Sequence, residues 1–232
     1  MPQKTIVLSL GGSIIVQDEI QTKFLKDFRK FILKFIKNGH RFIIVVGGGK
    51  ICRKYQQAAS EIADVNDEDK DWIGIHATRL NAHLIRTIFR KQAYSTVLDS
   101  PLKPINQADF KHYRLFIASG WKPGWSTDYD AVVLAKRFGA STVINASNVE
   151  YVYDKNPVQF KAAKPLREIA WPDYLKIIGK KWLPGMNTPF DPIASQFAQK
   201  SKMTVIFAKG TDLKNLADII RGKNFNGTTI HP

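Results

Sequence analysis

Three times along this chain a short run of β-branched and apolar residues stops at glycine and hands over to a helical pattern. Ile6 to Leu10 runs into Gly11-Gly12-Ser13, and Phe42 to Val46 runs into Gly47-Gly48-Gly49. Arg114 to Ala118 runs into the loop Gly120-Trp121-Lys122-Pro123-Gly124-Trp125-Ser126-Thr127-Asp128. This repetition limits the fold more than any other feature, because near-continuous apolar strands alternating with helices belong to parallel sheets covered on both faces. The expectation is an α/β fold with a mainly parallel central sheet sandwiched by helices, a three-layer arrangement in one domain over residues 1–232.

The remaining elements follow from periodicity and punctuation. The spacing predicts helices over Thr22 to Lys37, closed by Asn38-Gly39, over Lys50 to Ala63, and over Trp72 to Lys91. Further helices are expected over Tyr129 to Phe138, with Gly139 as the stop, and over Pro172 to Ile178, Pro192 to Lys200 and Asp212 to Arg221. Strands are expected at Tyr94 to Leu98, Thr142 to Asn145 and Thr204 to Ala208. Ser147 to Pro165 has Pro-containing turns and no clear period, and reads as a surface excursion.

The formal charge of +15 invites a nucleic-acid reading, so the positions of the cations matter. Lys23, Lys26, Arg29, Lys30, Lys34 and Lys37 alternate at helical spacing with Phe24, Leu25, Phe28, Phe31, Ile32, Phe35 and Ile36. That is the outer face of an amphipathic helix, and nucleic acid is not an expected partner. A lone cysteine, Cys52, cannot form an internal disulfide, and the opening Met-Pro-Gln-Lys leads into a run too short for a signal peptide. No apolar stretch approaches the roughly 20 residues that cross a bilayer. A cytoplasmic protein is expected.

In an open parallel sheet, ligands bind beyond the carboxyl ends of the strands, where the glycine loops lie. Glycine permits positive φ and close approach, so successive N–H groups can converge on an anion, and helix N-termini add unpaired donors. The loops match neither Gly-x-x-x-x-Gly-Lys-Ser/Thr nor Gly-x-Gly-x-x-Gly. Two separate phosphate-binding loops suit phosphoryl transfer, which asks chiefly for alignment and positive charge. Gly11, Gly12 and Ser13 could hold one anion and Gly47 to Gly49 the other or the bridging group. Lys50 and Arg53, one helical turn apart, would stand beside the phosphates as charge stabilisers, unless both are ordinary surface cations. No Cys-His or Ser-His constellation suggests a covalent intermediate.

The ordered set of motifs resembles the archaeal-type UMP kinases of the amino acid kinase superfamily. It comprises the Gly-Gly-Ser strand end, Val-Val-Gly-Gly-Gly-Lys, and Asp71-Trp72-Ile73-Gly74-Ile75 with Thr78-Arg79-Leu80-Asn81-Ala82. It continues through Pro123-Gly124-Trp125-Ser126-Thr127-Asp128, Asn148-Val149-Glu150-Tyr151-Val152-Tyr153, Asp191-Pro192-Ile193-Ala194 and Asn226-Gly227-Thr228-Thr229-Ile230. The resemblance implies transfer of the γ-phosphate of ATP, with Mg²⁺, to UMP, in a homo-hexamer built as a trimer of dimers. By matched position, Ser9, Leu10, Gly11, Gly12, Ser13, Gly49 and Arg53 are implied as ATP-phosphate contacts. Ser147, Asn148, Tyr153 and Asn156 are implied at the adenosine end. Gly48, Asp71 and the run Gly120, Trp121, Lys122, Pro123, Gly124, Trp125, Ser126 are implied as the UMP site, with Asp71 on the ribose hydroxyls. Asp191 matches a polar position near the phosphates, where it could orient a lysine, a water or Mg²⁺.

Blander roles remain open. Asp71 fits an N-cap of the following helix, Thr127 or Asp128 fits a cap of theirs, and Tyr153 fits a core aromatic with a wet hydroxyl. Trp121 and Trp125 fit either a subunit contact or the lining of the acceptor pocket. The chain also departs from the pattern it resembles. Ser9 stands where many amino acid kinases have lysine, and Asn148 where bacterial UMP kinases have lysine. Glu150, Tyr151 and Asn156 replace Asp, Gly and Asp. Two other readings stand beside UMP kinase: a sister kinase acting on a small phosphate such as isopentenyl phosphate, and a non-catalytic anion or nucleic-acid binder.

Overall fold

The computed structural model describes residues 4–179, 181 and 188–232. Along the chain run β1 (Thr5–Leu10), α1 (Gly12–Ile15), α2 (Thr22–Lys37), β2 (Arg41–Val46), α3 (Gly49–Ile62) and α4 (Asp67–Ile88). Next come α5 (Gln107–His112), β3 (Leu115–Ala118), α6 (Thr127–Arg137) and β4 (Thr142–Ser147). The chain continues through β5 (Val152–Tyr153), β6 (Pro165–Leu166), β7 (Glu168–Ala170) and α7 (Trp171–Ile178). It closes with α8 (Pro192–Lys200), β8 (Thr204–Lys209), α9 (Leu213–Arg221) and β9 (Thr228–His231).

Seven of these strands form one sheet in the order β3-β2-β1-β4-β8-β9-β7. β3, β2, β1, β4 and β8 are parallel, β9 pairs antiparallel with β8, and β7 pairs parallel with β9. In register, Leu10 lies opposite Val46 on one side and Ala146 on the other, so three strand ends finish level. Helices cover both faces. One face packs Leu8, Leu10, Ile44 and Val46 against residues of α2, α4 and α9. The other packs Val7, Val45, Phe116 and Val143 against residues of α6, α7 and α8.

α2 shows how the local pattern sets the packing. Leu25, Phe28, Ile32 and Phe35, three or four residues apart, are its buried stripe. Phe28 and Ile32 are wholly buried, each contributing about 1.5–3 kcal/mol. Lys23, Lys26, Lys30, Lys34 and Lys37 are exposed on the opposite face, and Arg29 donates to the carbonyl of Ile88 at 2.9 Å. Gly39 ends the helix at φ +88°.

Several boundaries differ from the sequence expectation. Tyr94 to Leu98 does not form a regular strand: only isolated bridges, Ala93 to Leu115 and Leu98 to Ala118, tie this segment to β3. α4 starts at Asp67 rather than Trp72, because Asn66 caps it by accepting from the Asp69 N–H at 2.8 Å. Asp71 therefore sits inside the helix and is not its cap. The Ser147 to Pro165 excursion contains β5, which pairs with β6. α5, β7 and β9 had no counterpart in the sequence reading.

Candidate active site

β1 lies between β2 and β4, and the strand order reverses across it. The crevice beyond its carboxyl end is the topological switch point at which such sheets bind ligands. The loops leaving β1 and β2 touch there. A Cβ on Gly12 would fall 2.2 Å from the Gly49 nitrogen and 2.4 Å from the Gly47 oxygen, so only glycine permits this approach. Gly49 adopts φ +74° and opens α3, whose N-terminus has no side-chain cap. Its leading N–H groups are thus available to an anion. Asn81 of α4 donates to the carbonyls of Gly47 and Gly48 at 2.9 and 3.1 Å, which fixes the loop from behind.

The third loop is held by side chains of α4 and α6. The Gly120 N–H donates to Thr78 Oγ1 at 2.8 Å and the Trp121 N–H to Asp130 Oδ2 at 3.2 Å. The Gly124 N–H donates to Asp71 Oδ2 at 2.7 Å, and Gly124 itself takes φ +81°. Ser126, not Thr127 or Asp128, caps α6 by accepting from the Tyr129 N–H at 3.2 Å. Burial raises the pKa of Asp71 above the usual carboxylate value, while the Gly124 N–H opposes that shift.

The three loops open into one cavity of 440 Å³. Of the residues singled out in the sequence, Ser13, Gly48, Gly49, Arg53, Asp71, Gly120, Trp125, Ser126 and Asn148 line it. Arg53 also donates to Ser13 Oγ at 3.4 Å, linking α3 to the first loop. Cys52, Gln56, Gly74, Ile75, Thr78 and Thr127 line it too, although the sequence assigned a binding role to none of them. The signal for part of this set was present: 71, 74, 75 and 78 fall on one helical face. Burial pushes the Cys52 thiol up, so it is not an activated nucleophile.

Other expected residues lie elsewhere. The Lys50 ammonium donates to Asp18 Oδ2 at 3.2 Å while Lys54 donates to Asp18 Oδ1 at 3.1 Å, and Lys50 does not line the cavity. These two lysines hold the Asp18 carboxyl below its usual pKa. Leu10 is core, and Gly11 donates to the Ala146 carbonyl at 2.9 Å. Trp121, Lys122 and Pro123 stand outside the lining. Ser147 donates to Asn148 Oδ1 at 3.3 Å, Tyr153 belongs to β5, and the exposed Asn156 accepts from the Val158 N–H at 2.9 Å.

Next to the lining residues Ser126 and Thr127, but outside the lining themselves, stand the carboxylates of Asp128 and Asp191. Asp128 Oδ1 accepts from Ser9 Oγ at 3.0 Å and from Asn145 Nδ2 at 3.3 Å, and Asp128 Oδ2 accepts from the Asp191 N–H at 3.3 Å. Asp191 caps α8 by accepting from the Ala194 N–H at 2.7 Å, and its Oδ2 has no hydrogen-bond partner. Burial first, and then the neighbouring Asp191, raise the Asp128 pKa to about 7. Burial raises Asp191 as well. The donors around Asp128 are neutral, so two charges here are costly.

Glycine loops at a switch point, an uncapped helix N-terminus and an arginine match a known pattern, and the profile of the amino acid kinase family fits residues 4–209. The chain belongs to the amino acid kinase family. Within that family it is similar to the uridylate kinase of Thermococcus kodakarensis, at 34% identity over 98% of this chain and 99% of that protein. It is also similar to the uridylate kinase of Methanoregula boonei, at 33% identity over 95% of this chain and 93% of that one. The crystal structure of uridylate kinase from Archaeoglobus fulgidus superposes with a TM-score of 0.79 at 30% identity, covering 97% of this chain and 99% of that one. UMP kinase from Bacillus anthracis reaches the same TM-score at 20% identity, covering 100% and 97%, a likeness of fold.

Proposed function

We propose that this chain is a uridylate kinase, transferring the γ-phosphate of ATP to the phosphate of UMP to give UDP and ADP. The observation that carries the reading is the convergence of three glycine-bearing strand ends on one cavity that also holds Arg53 and Asp71. Direct transfer between two phosphates needs two anion cradles facing each other, with positive charge beside the group in flight. The first two loops and the N-terminus of α3 supply one cradle, and the third loop supplies the other. The near-full-length similarity to uridylate kinases supports UMP as acceptor.

In this reading Arg53 stabilises charge on the transferred phosphoryl group, a role its guanidinium fork suits. Lys50, held by Asp18, remains outside it. Asp71 accepts from the ribose hydroxyls, and the third loop orients the acceptor phosphate. Asn148, the lining residue of the adenosine group, meets the nucleoside of ATP.

Among the described residues no group of three or more His, Cys, Asp or Glu side chains could enclose a metal. Mg²⁺ asks for less, since it binds through one or two carboxylates plus substrate phosphates. Asp191 stands outside the cavity lining, and its buried Oδ2, without a hydrogen-bond partner, would reach Mg²⁺ through water. When bound, Mg²⁺ neutralises phosphate charge.

The resemblance further carries a single domain, a homo-hexamer and a cytoplasmic location. Among the described residues no helix is long and apolar enough to cross a membrane. A coupled assay with ATP, Mg²⁺ and UMP, CMP, AMP or isopentenyl phosphate tests the function. UMP is expected to be turned over fastest; no UDP formation overturns the proposal. Light scattering of the purified protein tests the assembly.

A further inference from the structure

One helix is hydrogen-bonded to both the second and the third loop. Thr78 and Asn81 lie one turn apart on α4, about 4.5 Å along its axis, and both are buried. Asn81 Nδ2 commits its two hydrogens to the carbonyls of Gly47 and Gly48 at 2.9 and 3.1 Å. In a trans peptide the N–H points opposite to the preceding C=O, so holding these carbonyls turns the N–H groups of Gly48 and Gly49 to the side away from Asn81. Gly48 and Gly49 both line the cavity.

Thr78 is fixed just as closely. Its hydroxyl donates to the Ile75 carbonyl at 2.6 Å, which leaves the oxygen to accept from the Gly120 N–H at 2.8 Å. A Cβ on Gly120 would lie 3.0 Å from that oxygen, so the third loop is seated against the helix. Arg79 donates to the Trp121 carbonyl at 3.4 Å, and Asp71, two turns before Thr78, accepts from the Gly124 N–H at 2.7 Å. Ala82 and Ile85, on the same stretch of α4, are anchored in the core. We propose that the turn from Thr78 to Asn81 sets the separation of the donor and acceptor phosphates, with Thr78 and Asn81 as positioning residues for phosphoryl transfer. The inference rests on the uridylate kinase reading and adds to it the element that aligns the two nucleotides with each other. Transfer is sensitive to such alignment, since a displacement of about 1 Å can lower the rate about 100-fold.

The test removes each hydrogen-bonding group in a side chain of similar size: Thr78→Val and Asn81→Leu, singly and together, with Thr78→Ser as the variant that keeps the hydroxyl. Steady-state kinetics with ATP and UMP give kcat, and titration calorimetry gives the Kd of each nucleotide alone. Alignment by this turn predicts that Thr78→Val and Asn81→Leu each lower kcat about 10- to 100-fold, while neither Kd changes by more than about 3-fold. Thr78→Ser keeps kcat within about 3-fold of the wild type. The double variant is about as slow as the worse single one, because residues that act as a unit do not lose their effect twice. Circular dichroism checks the fold, and each single variant carries the test alone where the other, or the double, does not fold. Unchanged kcat in the single variants, a loss confined to Kd, losses that multiply in the double variant, or a Thr78→Ser as slow as Thr78→Val each overturns the positioning role and leaves the uridylate kinase reading intact. A wild-type protein that forms no UDP overturns both.

Discussion

The backbones of Gly12 and Gly49 approach so closely that a single added methyl group at position 12 would lie 2.2 Å from the Gly49 nitrogen. The clash is with backbone, so no side-chain rotation relieves it. Gly12→Ala is therefore expected to push the first two loops apart, costing about 1–3 kcal/mol by overpacking. Thermal denaturation should show a fall of roughly 2–12 °C, and ATP affinity should fall with it.

Arg53 and Lys50 share one helix face of α3 but not one role. Arg53→Ala should lower kcat/KM by about 100-fold or more, the scale of removing a charge-stabilising donor. Lys50→Ala, which removes a cation already engaged by Asp18 at 3.2 Å, should change it by less than about 3-fold, since exposed ion pairs contribute little. Steady-state kinetics with ATP and UMP measure both. The reverse ranking would restore Lys50 to the site.

Asp71 joins the third loop to α4 through the Gly124 N–H. Asp71→Asn should raise the Kd for UMP about 10-fold or more, since hydrogen bonds to a charged acceptor are the stronger class. Because burial raises its pKa, wild-type UMP affinity should begin to fall, on acidification, at a higher pH than an ordinary carboxylate would give. Calorimetric titrations from neutral to acid pH follow that fall, and Asp71→Asn should not show it.

Asp128 makes a prediction about stability. Its folded pKa of about 7 lies above the ordinary 3.8, so the folded state binds the proton more tightly than the unfolded chain does. The contribution is full below about pH 4 and is lost as pH rises through 7, a difference of up to about 4 kcal/mol. Asp128→Asn removes that titration. Its denaturation midpoint should vary less between pH 5 and pH 8 than that of the wild type, with the largest relative gain above pH 7. Parallel slopes for the two proteins would refute the assignment.

The strand ends and α2 were legible because their signals are local: continuous apolar runs stopping at glycine, and a stripe repeating every three to four residues. The meeting of the three glycine loops at one cavity, through Ser13, Gly48, Gly49 and Gly120, followed from the strand-loop-helix repetition. The pairing of Lys50 with Asp18 was not legible, because Asp18 lies in the loop before α2 and no spacing rule connects them. The start of α4 was hidden in an acidic stretch whose cap, Asn66, works through the Asp69 N–H. Tyr94 to Leu98 has the composition of a strand, yet only two isolated bridges tie it to β3. β7 and β9 are short, and their pairing depends on partners distant in sequence.

The placement of β9 between β8 and β7 has a consequence during synthesis. A nascent chain leaves the ribosome with all three glycine loops made before Thr228 to His231 exists, so β8 presents an open edge and β7 has no neighbour. Unpaired edges invite association with other chains. Deletions or extensions that disturb this last strand should therefore reduce soluble yield while leaving the ligand-facing end of the sheet largely intact.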